Sequence, residues 1–372
     1  MKTKHSVLLM ARELEAGGSE RQLIETALGL DQSRFEPYVA SFRANASRTE
    51  VLRAAKVTVV HFPVDSYRSP QALVGACRMA HFVRNKNIQL VHTFDAPTTI
   101  FAVPVVRYLT PAIMLSSQRG HRDLTPEFRR FLRWTDSHVD GIVVNCNYLK
   151  RHLTVDENVP DRLIRVCYNA IDLDQFRPDA GSPRPASLPA DAFVIGVVCM
   201  LRAEKGLTTM IDAFAKVRRL RTLMKLAIVG SGLQLESLQA HARERGVYED
   251  VVWQPATQNV APWLRSFDIF VLPSLNEALS NSIMEAMACG CPVIASNVGG
   301  NPELIEPGTR GLLFESQNAD ALAATLAALA NDEPLRLRLA EAGQRFIHEG
   351  FSRQSSAARM GDIYESFLAS RR

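Results

Sequence analysis

Two carboxylates define the chemistry open to this chain of 372 residues. Glu277 and Glu285 lie in the stretch 271–296, VLPSLNEALSNSIMEAMACGCPVIAS, and Ala278, Leu279, Ser280 and Asn281 stand between them. Ser280 and Asn281 are helix-capping types, which puts Glu277 in a turn and Glu285 inside the helix that follows. Gly290 ends that helix and Pro292 bars its continuation. A turn carboxylate, a row of backbone donors and a second carboxylate one or two turns on suit a polyhydroxylated, anionic ligand. Hydroxyls donate to carboxylates, and anions take the amides at a helix N-terminus. An isolated pair of this kind is more often two solvated helix-end charges, so its neighbours must decide the reading.

Those neighbours are cations and glycines at strand ends. Arg202 and Lys205 lie in MLRAEKG, 200–206, where a tight basic loop beside a helix start suits a diphosphate. Gly17 and Gly18 precede Ser19 and Glu20 at a strand-to-helix junction, letting the backbone approach a ligand closely. Gly230, in VGSG at 229–232, marks a similar turn, and Asn301 is the expected cap of a helix with Pro302 at its first position.

The elements that position these groups alternate. Apolar strands are expected at 6–10, 38–41, 57–60, 90–92, 112–116, 142–145 and 165–169, with helices at 20–30, 73–86 and 100–107 between them. After a Pro-rich stretch at 177–191, RPDAGSPRPASLPAD, the pattern repeats, with strands at 194–200, 226–230, 251–254, 269–272, 292–295 and 311–314. Short apolar strands separated by helices give an α/β class with parallel, doubly wound sheets. Two Rossmann-like domains are expected, at 1–176 and 192–351, joined by the linker 177–191 and followed by a terminal helix in 352–372. Ligands collect outside the carboxyl ends of such strands and in clefts between domains.

Composition is that of a soluble globular protein, with 47% hydrophobic and 22% charged residues. The six cysteines show no metal-ligand spacing and read as reduced core residues, which suits a cytoplasmic protein. The apolar stretch at 7–10 is too short for a signal or a span, leaving peripheral contact as the membrane option. Up to residue 180 there are 24 Lys and Arg against 19 Asp and Glu; beyond it, 19 stand against 20. Much of the positive excess clusters at 119–133. There PEFRRFLRW, 126–134, interleaves Phe128, Phe131, Leu132 and Trp134 with Arg129, Arg130 and Arg133, a pattern that suits an anionic bilayer or a helix packed on its own domain.

The stretch 274–296, with Glu, seven residues, Glu, a small-residue helix, Gly, a residue, Pro and Val, resembles the signature of the family 4 retaining glycosyltransferases of the GT-B fold. The resemblance implies that Glu285 binds the ribose of a UDP- or GDP-linked sugar. Glu277, with the amides of Ala278, Leu279 and Ser280, would hold the transferred sugar and phosphate, and Lys205 would hold the diphosphate. Gly17 and Gly18 would lie near the donor phosphates and the acceptor. The family's first basic residue here falls at Met200, so Arg202 is a displaced substitute. Where relatives carry His before Gly, this chain has Arg119, with His121 two residues on, and either residue can take part of that role. Asp172 and Asp174 imitate a metal-binding pair, but the resemblance implies no catalytic metal and no other cofactor. It also implies a glycan or lipid-linked acceptor, with no nucleic acid partner, and a terminal helix returning to the first domain. A nucleotide-sugar epimerase of the same architecture and a non-catalytic nucleotide-sugar sensor are the rival readings.

Overall fold

A computed structural model describes residues 4–15, 17–43, 49–120, 125–178 and 183–370 of the chain. Contacts divide it into two units, one of Met1–Ala170 with Phe351–Arg372 and one of Ile171–Gly350. The chain passes from one to the other a few residues before the Pro-rich stretch. Leu188 in that stretch is buried and Arg184 donates to the Ala192 carbonyl at 2.8 Å, so its second half belongs to the second unit.

The first unit is built on β1 (His5–Met10), β2 (Phe35–Ser41), β3 (Thr58–His61), β4 (Leu90–Thr93), β5 (Ile113–Gln118), β6 (Gly141–Val144) and β7 (Ile164–Val166). The pairs are parallel and the order is β3-β2-β1-β4-β5-β6-β7. All residues of β4 and β6 are buried, as expected of strands with helices over both faces. Strand order reverses between β1 and β4, and in open parallel sheets that switch point is where loops splay apart and leave a crevice.

The second unit repeats the plan with β8 (Phe193–Val198), β9 (Met224–Val229), β10 (Val251–Gln254), β11 (Ile269–Leu272), β12 (Val293–Ser296) and β13 (Leu312–Phe314). Its order is β10-β9-β8-β11-β12-β13, again parallel, with the switch between β8 and β11. The loops after those two strands are the ones that carry Arg202, Lys205 and Glu277.

The last helix, Arg353–Ser370, packs on the first unit against the helix Gly18–Gly29. Its buried stripe of Ala357, Met360, Gly361, Tyr364 and Phe367 recurs at helical spacing. Tyr364 meets Phe35 edge-on at 6.0 Å, and the Phe367 ring fills the space that a side chain at Gly141 would need. Fully burying an aromatic of this kind contributes roughly 1.5–3 kcal/mol. Arg34 adds bonds of 2.9 Å to Glu365 and 3.1 Å to Asp362.

Local details differ from the sequence expectations. The helix Asn301–Leu304 is capped by Gly300 rather than Asn301, whose side chain instead donates to the Ser296 carbonyl at 3.0 Å. Cys77 is exposed on the helix Pro70–Asn85 rather than in the core, and the six thiols are free. The helix Glu333–Gly350 carried no sequence expectation; Leu339, Ala340, Gly343 and Ile347 form its buried face.

Candidate active site

In the second unit the site grows from the two switch-point loops. After β8 the chain turns through a short 3-10 segment, Ala203–Lys205, and enters the helix Leu207–Val217 at Gly206. Gly206 has φ +62°, and a Cβ there would lie 2.2 Å from the Pro273 carbonyl oxygen. A side chain at 206 would therefore push the β8 loop off the β11 loop. The Leu275 amide bonds to the Glu204 carbonyl at 2.8 Å and completes the join.

Across that join Lys205 Nζ donates to Glu277 Oε1, and Ser274 Oγ donates to the same oxygen at 2.9 Å. Ser274 is buried, and its carbonyl accepts from Ser296 Oγ at the end of β12. Gly299, with φ +56°, supports Glu277 from the other side, where a Cβ would fall 1.7 Å from the Glu277 carbonyl oxygen. Three strand ends thus fix one carboxylate.

Past Glu277, Ser280 caps the helix Asn281–Ala288 by accepting from the Ile283 amide at 3.3 Å. The amides of Ala278, Leu279 and Ser280 donate to none of the described residues. Unspent amides at a helix N-terminus are anion ligands. Glu285 sits within that helix at 5% exposure, so the sequence placed both carboxylates correctly. Arg202 goes elsewhere. It is largely exposed and lies 3.7 Å from Glu204, on the Lys205 loop but apart from Glu277. Gly230 ends β9, its amide bonded to the Gln254 carbonyl at 2.8 Å. Cys199 lies beside this loop, and burial pushes its thiol up to about 12, so it is not a nucleophile at neutral pH. Asp172 is occupied in a turn, accepting from the Asp174 amide at 3.0 Å. Among the described residues no group of three His, Cys, Asp or Glu is placed to hold a metal ion.

In the first unit Gly17 caps the helix Gly18–Gly29, and Glu20 in the first turn folds back against it. Near the strand ends a cavity of about 320 Å³ is lined by Arg12, Phe42, Arg43, Asp65, Tyr67 and Phe128, among others. Arg119 follows β5, and His121 lies outside the described residues.

One buried network had no sequence signal. His92, on β4, shares hydrogen bonds with Tyr364 Oη at 2.7 Å and Ser117 Oγ at 2.8 Å. Burial, then the Arg119 charge, holds its pKa well below the usual 6.5, so the ring is neutral. Tyr364 is 272 residues away along the chain, beyond any local pattern.

Two doubly wound parallel units of this kind make up the GT-B fold, and the comparisons put the chain among its glycosyltransferases. The family described as Glycosyltransferase Family 4 matches residues 16–175, and Glycosyl transferases group 1 matches 182–346. The chain belongs to glycosyltransferase family 4. It is 26% identical over 352 residues to a GDP-mannose-dependent alpha-(1-6)-phosphatidylinositol monomannoside mannosyltransferase of Mycobacterium tuberculosis, covering 90% of each chain. It is 32% identical over 242 residues to a D-inositol 3-phosphate glycosyltransferase of Thermobispora bispora, covering 62% of this chain and 56% of the other. An Anabaena protein solved in complex with UDP shares the fold, with a TM-score of 0.83 at 18% identity over 98% of this chain and all of the other.

Proposed function

We propose that the chain is a retaining, metal-independent glycosyltransferase. It moves a hexosyl group from a UDP- or GDP-linked sugar to a glycan or lipid-linked acceptor in polysaccharide or glycolipid synthesis. The observation that carries this reading is Lys205 paired with Glu277 beside the open amides of Ala278, Leu279 and Ser280. Charge on the departing diphosphate grows in the transition state, and a fixed ammonium and fixed amides stabilise it without reorganising. Arg202 adds a second cation from the same loop, while Glu285 takes the ribose hydroxyls and Glu277 the sugar. Gly17, Gly18 and Gly230 let backbone approach the ligand. The acceptor oxygen bonds to C1 on the face that the diphosphate leaves. As the C1–O bond to phosphate breaks, the acceptor proton passes to the departing phosphate oxygen. Configuration is thereby kept.

The lipid-linked form of the acceptor is supported by the mycobacterial relative's name and by the surface of the first unit. The helix Pro126–Asp136 contributes Phe128 to the 320 Å³ cavity and exposes Phe131 and Trp134 beside Arg130. An anionic bilayer matches that charge and apolarity. On this reading the enzyme works at the cytoplasmic face.

The test is release of nucleoside diphosphate from a panel of UDP- and GDP-sugars, with and without acceptors and with excess chelator. Acceptor-dependent release that survives chelation, with an axial or equatorial linkage matching the donor in proton NMR, is expected. Sugar conversion without acceptor identifies an epimerase, and binding without turnover a sensor. Either result overturns the proposal.

A further inference from the structure

Among the described residues Arg119 is a cation without an anion. Its Cζ lies 4.9 Å from the Phe94 ring centroid, and its Nη1 donates to Asn169 Oδ1 at 2.7 Å. Its Nε is buried and meets no acceptor among the described residues, and no bond from Nη2 to a described residue closes the edge that the two nitrogens form. Among the described residues no carboxylate pairs with Arg119. Burial lowers its pKa to about 10, which still leaves it charged at neutral pH. Its neighbour His92 is neutral and bonded to hydroxyls, so it supplies no negative charge. An enclosed charge without a counter-ion is costly, and a guanidinium edge matches two oxygens of one oxyanion. The next strand carries another unmet group. Val144 pairs with Gln118 in register, and after it Asn145 Oδ1 is buried without a partner.

We infer that Arg119 holds the oxyanion of a substrate, a phosphate or a carboxylate, through its Nε–Nη2 edge. The inference rests on the glycosyltransferase reading in taking that ligand to be a substrate. It narrows the acceptor to an anionic sugar or polyol, unless the oxyanion is the donor's own diphosphate.

Binding to the full chain distinguishes these sources. Glucose 6-phosphate, glucuronate, glucose, UDP and GDP are titrated calorimetrically into the parent, Arg119→Gln and Arg119→Lys, each first checked for native circular dichroism. For an anionic acceptor, the parent binds a charged hexose at least about tenfold tighter than glucose, Arg119→Gln loses that preference, and Arg119→Lys keeps part of it. UDP and GDP affinities then stay unchanged. A tenfold loss confined to UDP and GDP assigns the oxyanion to the donor. Unaltered affinities for every probe in Arg119→Gln overturn the inference. Should that variant not fold, Arg119→Lys and sulfate competition against glucose 6-phosphate on the parent decide, and no effect in either overturns it. Failure of the glycosyltransferase reading is separate: the parent would then release no nucleotide from any nucleotide sugar.

Discussion

Glu277 Oε1 accepts from both Lys205 and Ser274, so half of this carboxylate is committed within the protein. On the proposed function Lys205 has two tasks, holding Glu277 and neutralising the leaving group. Lys205→Ala is expected to lower kcat by about 10²-fold, as loss of a preorganised charge does elsewhere. Glu285→Ala is expected to act chiefly on donor affinity. Steady-state kinetics with donor varied separate the two, and unchanged kcat and donor affinity in both would remove the assignment. Gly299 offers a test through the backbone. Its φ of +56° and the 1.7 Å approach of a Cβ to the Glu277 carbonyl mean that Gly299→Ala must displace Glu277. A stability loss of about 1–3 kcal/mol with a fall in kcat/KM is expected, and parental values of both would show that the loop yields freely. The carboxylates were legible because a capping residue, small residues and a terminal glycine share one short stretch. The pairing of Lys205 with Glu277 spans 72 residues and was not, nor was the partnership of Arg202 with Glu204.

At the scale of elements, alternation of apolar strands with helices was enough to place the strands, and 251–254 and 269–272 match β10 and β11 to the residue. Periodicity says what a segment is, but not what it packs against. The helix Arg353–Ser370 shows this, because its partners are Gly29, Phe35 and His92, far away in the chain. Tyr364→Phe leaves His92 Nδ1 unpaired and is expected to cost about 1–3 kcal/mol in denaturant unfolding of the first unit. The pH dependence has a definite sign. The folded-state pKa of His92 lies below 6.5, so below that pH the unfolded chain takes up a proton that the native one refuses. Stability then falls as pH drops from 6.5 toward the folded pKa, by at most about 1.4 kcal/mol per unit, and this contribution is flat above 6.5. His92→Gln should remove that slope. Parallel stability curves for variant and parent between pH 6.5 and 4.5, roughly the interval over which one shifted His acts, would contradict it.

For the molecule as a whole, charge and apolar surface coincide in the first half of the chain. Among the described residues no helix is long and apolar enough to cross a membrane. Grooves of about 640 and 400 Å³ share Ile100 and Pro104. One is lined by Phe131, Trp134 and Arg130 and the other by Leu73, Tyr108 and Leu109, and Tyr67 continues the second into the 320 Å³ cavity. A headgroup entering that cavity would keep its lipid tail along an apolar path. The cations at the rim set the salt dependence. Arg133 is bound to Glu157 at 3.2 Å, which blunts its share. Each cation near an anionic surface contributes about 1 kcal/mol, so replacing all three by Gln is expected to lower partition onto phosphatidylserine vesicles by up to about 100-fold. The loss should be largest at low ionic strength and shrink as the screening length falls below about 8 Å at physiological salt. Replacing Phe131 and Trp134 by Ser should weaken partition at every salt concentration, because apolar burial is not screened. Sedimentation with vesicles across a salt series reads both effects, and parental partition in the two variants would move the acceptor off the membrane and into solution.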